Sequence, residues 1–159
     1  MNKQGHRRDR LYGVKGWLKF IVITNLYVAP ILVGLQYILA WNKFILLAGD
    51  YPGVIFAGII SIGVDGFLVY LGIRAAVALR DIRPGAVQQV RRLLKLRLAL
   101  ILIEAPLLVL AWSLAGLDLK DYIPGIVKGV VAGAIGFVVG WTYFKVSKRV
   151  KATYPDWNA

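Results

Sequence analysis

Three ionisable residues stand inside long apolar runs of this chain, Asp65, Glu104 and Lys128. A charge held among apolar neighbours in a bilayer is costly, and it marks a binding or transport site unless something local compensates it. Lys128 lies six residues beyond Tyr122, about 9 Å along a helix, a distance that a lysine stem snorkels. It is read as interfacial. Asp65 precedes Arg74 by nine residues and Glu104 follows Arg97 by seven, which places both carboxyls roughly 10–14 Å from the same boundary. On antiparallel neighbouring helices the two can face each other, share a proton, and bind a proton or small cation. Pro106 frees the carbonyl of Leu102 nearby, and Gly63 and Gly66 loosen the helix around Asp65. The competing reading is structural, with each carboxyl protonated or bonded to Asn25, Thr24 or Lys19 on another helix.

Other chemistries lack their residues. The chain has no cysteine, which removes disulfide scaffolds, thiol redox centres and cysteine-ligated metals. Its one histidine, His6, sits in a polar tail, so membrane histidines cannot hold a haem. Asp65-Gly66 followed by Arg80-Asp81 has a faint likeness to the CDP-alcohol phosphotransferase signature, but Val69-Tyr70 stands where Ala-Arg is needed and the later paired aspartates are missing. A four-helix multidrug exporter usually carries its essential Glu in the first helix, whereas Glu104 falls in the third. No catalytic set, metal site or cofactor is expected, and the chain is read as non-enzymatic.

A different kind of motif lies near the end of the chain. Gly129, Gly133, Gly136 and Gly140 follow at spacings of four, three and four and therefore share one helical face, on which another backbone can approach closely. The neighbour is either a helix of the same chain or a partner protein.

The elements that must position these residues follow from composition. Of 159 residues 58% are hydrophobic and the mean hydropathy is +0.65, above the roughly 45–50% apolar content of soluble domains. Apolar runs cover about 17–40, 53–73, 98–117 and 123–144, each near the ~20 residues that cross a bilayer. The expected fold is an all-α integral membrane protein, a single domain over 1–159 with four transmembrane helices. The first run is too long for a cleavable signal peptide and no small-x-small site precedes Trp41, so it is read as an uncleaved helix. Pro52 and Pro124 fit first helical turns, where a missing N–H costs nothing.

Formal net charge is +12, which raises nucleic acid as a partner. The distribution argues against it. Basic residues gather in the N-terminal tail, in the connection between the second and third runs, and in the C-terminal tail, while the connections 41–52 and 116–122 are nearly neutral. The positive-inside rule then puts both termini on the cytoplasmic side of the membrane. Trp17 and Trp141 fall at the inner ends, and Trp41, Tyr51 and Tyr122 at the outer ends, as an aromatic belt requires. After Pro84, residues 86–95 place Val87, Val90 and Leu94 on one face and Gln88, Arg91, Arg92 and Lys95 on the other. They form either a basic amphipathic helix on the cytoplasmic surface or an N-terminal extension of the third span. With Lys148, Arg149 and Lys151, residues Arg91, Arg92 and Lys95 make a basic surface suited to anionic lipids.

Two end motifs are the most distinctive words in the chain: Gly13-Val14-Lys15-Gly16-Trp17-Leu18, and Trp141-Thr142-Tyr143-Phe144 followed by Ser147-Lys148-Arg149-Val150-Lys151-Ala152-Thr153-Tyr154. Through them the chain resembles the bacterial inner-membrane family catalogued as domain of unknown function 2569. That resemblance implies a four-helix membrane protein and brings no activity, substrate or catalytic residue. By elimination, the sequence is read first as an accessory or assembly subunit of a larger membrane complex, or a homo-oligomer, with a small proton- or cation-coupled transporter or channel using Asp65 and Glu104 as the alternative.

Overall fold

The structure is a computed structural model that describes residues 12–50, 52–114, 119–121, 123–154 and 156–157. Tyr51, Asp118, Tyr122 and the tail containing His6 lie outside the described residues. Every regular element among those residues is helical. In chain order they are α1 (Trp17–Ile23), a π-helical turn (Thr24–Val28), α2 (Ala29–Asp50), α3 (Pro52–Arg80), α4 (Ala86–Leu114), a 3-10 turn (Leu119–Asp121), α5 (Ile123–Val146) and α6 (Lys148–Thr153).

Three stretches are long and apolar enough to cross a membrane: Trp17–Asn42, Gly58–Arg80 and Ile123–Val146, with mean hydropathies of 1.9, 1.7 and 1.9. The third apolar run of the sequence, 98–117, forms the second half of the 29-residue α4 and passes into residues outside the description. Each long helix packs on its neighbours in the chain, α2 on α3, α3 on α4 and α4 on α5. The flanks of the bundle are apolar and open. Ile38, Leu39 and Leu46 are 72, 72 and 73% exposed, which in water would be an extended sticky surface and in lipid is a solvated one.

The π-helical turn has a local cause. Pro30 has no N–H for the Leu26 carbonyl, so the ladder must be rearranged just upstream. Ala29 N donates to Thr24 O, one residue farther back than an α-helical bond reaches.

The buried core lies at one end of the bundle. Leu18 and Val22 of α1, Ala75, Ala76, Ala78 and Leu79 of α3, Ala86, Val87 and Val90 of α4, Phe144 of α5, and Val150, Thr153 and Tyr154 cluster there. The two distinctive end motifs meet in this knot, where Gly13 N donates to Thr153 Oγ1 at 3.1 Å. Gly13 and Gly16 have φ of 93° and 57°, a region that other residues rarely adopt, so the glycines shape the entry into α1. Ser147 caps α6 by accepting from Val150 N.

The α3–α4 connection is a tight turn ending in a Schellman motif. Arg83 N donates to Ala78 O and Ile82 N to Leu79 O, with Ile82 at φ 52° where glycine is usual. The C-terminal segment braces it: Tyr154 Oη donates to Leu79 O at 2.6 Å, Gly85 N donates to the Asp156 carboxylate, and Gln88 Nε2 to the Asp156 carbonyl.

The reading of residues 86–95 as a separate surface helix is corrected by this arrangement. They are the first turns of the unbroken α4, because Pro84 and Gly85 stand before the helix and nothing interrupts it afterwards until Pro106. Their apolar face is covered by protein, with Val87 fully buried and Val90 6% exposed.

Candidate functional site

Asp65 and Glu104 line one cavity of about 120 Å³ where α2, α3 and α4 meet. Four positions bring it about. Asp65 lies on α3, Glu104 and Arg97 lie on α4 two turns apart and hence on one face, and Asn25 enters from the π-helical turn. Ala29, Val33, Leu68 and Leu100 supply apolar wall. The volume accommodates several water molecules, and the lining offers them polar partners.

Each carboxylate is held by a hydroxyl from another helix. Tyr37 Oη of α2 donates to Asp65 Oδ2 at 2.7 Å, and Ser61 Oγ of α3 donates to Glu104 Oε1 at 3.1 Å. Among the described residues these are their partners, rather than Asn25, Thr24 or Lys19; Asn25 Nδ2 donates back to Ile21 O at 2.9 Å. The Asn25 carbonyl oxygen packs where Gly72 has no side chain, since a Cβ on Gly72 would stand 3.4 Å from it. Arg97 contributes a guanidinium to the same wall, yet makes no ion pair with either carboxylate among the described residues. Both acids therefore keep lone pairs free for a ligand in the cavity. Two carboxylates with one hydroxyl donor each can exchange a proton or coordinate a small cation through oxygen.

Tyr37, Ser61 and Arg97 are the parts that sequence reasoning passed over. Ser61 stands four residues before Asp65 and so shares its helical face. Arg97 served only as a marker of the membrane boundary. Tyr37 is a phenol in the middle of an apolar run, but nothing in the sequence says which acid it faces.

Among the described residues no group of three His, Cys, Asp or Glu side chains is placed to hold a metal ion. Lys128 is exposed on the flank of α5, outside the cavity.

The glycine face of α5 divides. A Cβ on Gly133 would fall 2.6 Å from Ile101 Cδ1, and one on Gly140 would fall 3.2 Å from both Leu94 methyls, so these two glycines receive α4 of the same chain. Gly129 and Gly136 meet nothing within 4 Å. They line, with Arg97 and Phe137, a groove of about 380 Å³ between α4 and α5.

The basic surface divides as well. Arg91 Nη2 donates to Phe144 O at 3.2 Å, with its guanidinium 5.8 Å from the ring centres of both Trp141 and Trp157. Lys95 Nζ lies 5.2 Å from Trp141, and Lys151 Nζ 4.4 Å from Trp157. These cations fasten the end of the bundle through aromatic faces. Arg149 is half-buried and its Nη1 is enclosed without a hydrogen-bond partner among the described residues. Arg92 and Lys148 are exposed. Comparison of the chain with family models, with curated proteins and with solved structures gives no match, and the site is read from its own geometry.

Proposed function

We propose that this chain is a four-span protein of the bacterial cytoplasmic membrane, with both termini inside, that carries a proton or small cation through an intramembrane acidic site as a small transporter or channel. The observation that carries the reading is that Asp65 and Glu104, from two helices, line one cavity together with Arg97 and Asn25. An isolated structural carboxyl needs only its hydroxyl partner. Two acids and an unpaired guanidinium around one cavity form a polar site in a region where polar groups are retained at a cost. No covalent step is assigned, and the protein acts without catalysis.

Kinship with the family catalogued as domain of unknown function 2569 is part of the proposal. The two end motifs that carry the resemblance are joined by the Gly13–Thr153 bond into one folded unit.

The test is flux in proteoliposomes under an imposed pH gradient. Asp65→Asn and Glu104→Gln should each abolish it while the protein stays folded, because an amide keeps size and hydrogen bonding but cannot exchange a proton. Flux unchanged in both variants, or none in the parent protein with H⁺, Na⁺ or K⁺, rejects the proposal.

One observation favours the accessory-subunit reading. Gly129 and Gly136 are open toward a groove that a helix of another protein could enter. Its support is narrower than the sequence suggested, since Gly133 and Gly140 are occupied within the chain. Extraction in gentle detergent followed by mass analysis separates the readings: a stoichiometric larger partner favours the subunit.

A further inference from the structure

The arginines at the core end of the bundle differ in what answers their charge. Arg80 and Arg83 both pair with Asp81 at 2.9 Å, and their proximity holds that carboxyl below the usual aspartate range. Arg91 is engaged by a carbonyl and two indoles. Arg74 and Arg92 have no carboxylate partner among the described residues, and both are exposed. The guanidinium of Arg74 lies over the Tyr70 ring, 5.8 Å away.

These two arginines face the same groove, of about 430 Å³, between α3 and α4. Its polarity is graded along the helices. Gln89 lies at the end nearest the α3–α4 turn, Arg74 and Arg92 come next, and Leu71 and Leu96 lie deepest toward the apolar middle of the bundle. Gln89 and Leu96 are seven residues apart, so the grading extends over about 10 Å. Among the described residues no acid lines the groove.

We propose that this groove is a binding site for one anionic phospholipid, whose phosphate rests between Arg74 and Arg92, with Gln89 donating to the headgroup and an acyl chain lying along Leu71 and Leu96. Two guanidiniums match a phosphodiester in charge and fork geometry. The leucines below them match the rest of the lipid, which a free phosphate would leave uncovered. The inference needs the bundle to sit in a membrane and is independent of what the acidic cavity carries.

The experiment is native mass spectrometry of the full chain, first reconstituted into vesicles and then released with bound lipid. The vesicles hold equal amounts of phosphatidylglycerol and phosphatidylcholine. One phosphatidylglycerol should be retained in preference to phosphatidylcholine, and Arg74→Gln/Arg92→Gln should weaken that retention by about 30-fold. Lys145→Gln/Lys148→Gln removes the same charge from exposed positions on the same end and should leave it unchanged. Arg74→Lys/Arg92→Lys should restore part of it, and all variants are on the surface and should elute like the parent. Equal loss in both Gln pairs would reduce the effect to general charge attraction and overturn the site, as would retention unaffected by the arginine pair. Displacement by millimolar inorganic phosphate would assign the groove to a free anion instead. Failure of the chain to enter vesicles at all would reject the membrane reading and the lipid site with it.

Discussion

Tyr154 shows how much of the fold one polar atom can hold. Its ring is buried in the core and its hydroxyl donates to Leu79 O at the last turn of α3. Tyr154→Phe should cost about 1 kcal/mol, not more, because Leu79 O still receives Ile82 N. Burial raises the phenol above its ordinary pKa, with Tyr143 and Tyr12 adding to the shift. The native state thus keeps its proton where the unfolded chain loses it, so this stability is intact below roughly pH 10 and disappears as pH climbs beyond it toward the raised native value. A denaturation midpoint followed between about pH 9 and 11 should fall more in the parent than in Tyr154→Phe. Parallel falls would mean that the phenol does not titrate differently in the folded protein. Other residues were legible to different degrees. Asp65 and Glu104 were visible because a carboxyl in an apolar run is expensive, and counting from Arg74 and Arg97 gave their common depth. Tyr37 and Ser61 were not, since which hydroxyl faces which acid depends on how each helix is rotated, and long apolar helices carry little amphipathic signal to fix that rotation.

At the level of the element, the glycine face of α5 was legible as a packing surface, and its occupant was not. Spacing puts four glycines on one side of the helix; only the contact with α4 separates Gly133 and Gly140 from Gly129 and Gly136. Gly133→Leu drives a side chain into Ile101 and should destabilise the chain by about 1–3 kcal/mol, read from thermal unfolding in detergent. Gly136→Leu should leave that transition unchanged, because its side chain enters open space, and should act only on association with another protein. Equal destabilisation by both would mean that α5 is rotated relative to α4. Residues 86–95 teach a related lesson. Their apolar stripe was read correctly, but a stripe of Val87, Val90 and Leu94 is equally suited to lipid headgroups and to protein. What decides is the C-terminal segment, whose Val150 and Tyr154, four residues apart, supply the matching buried face. The sequence singled out this segment as a motif and read its basic residues as a surface for anionic lipids, without showing that Val150 and Tyr154 pack inward.

On the scale of the whole molecule, the Gly13–Thr153 bond and the bracing of the α3–α4 turn by Tyr154 and Asp156 bring the first and last described segments to one end of the bundle. Termini on one side of a membrane require an even number of crossings. The three stretches that are apolar and long enough on their own make an odd number, so the 29-residue α4, which packs between α3 and α5, supplies the fourth in this reading. Its first turns pack into the core, and in the same reading they lie below the membrane, with basic residues crowding its start and its apolar part beginning near Leu98. Charge then selects the orientation: Arg80, Arg83, Arg92, Lys148 and Lys151 all lie at the core end, which the positive-inside rule assigns to the cytoplasm. Because the chain has no cysteine, single cysteines can report this directly. In intact cells, a membrane-impermeant maleimide should fail to label Arg83→Cys and Lys148→Cys, both exposed, and should label Lys120→Cys in the turn between α4 and α5. After the cells are opened, all three should react. Labelling of Arg83→Cys and Lys148→Cys from outside, with Lys120→Cys protected, would invert the orientation. Labelling of Lys148→Cys but not Arg83→Cys would mean an odd number of crossings between them, and could not be reconciled with the bonds that tie Tyr154 to Leu79 and Asp156 to Gly85.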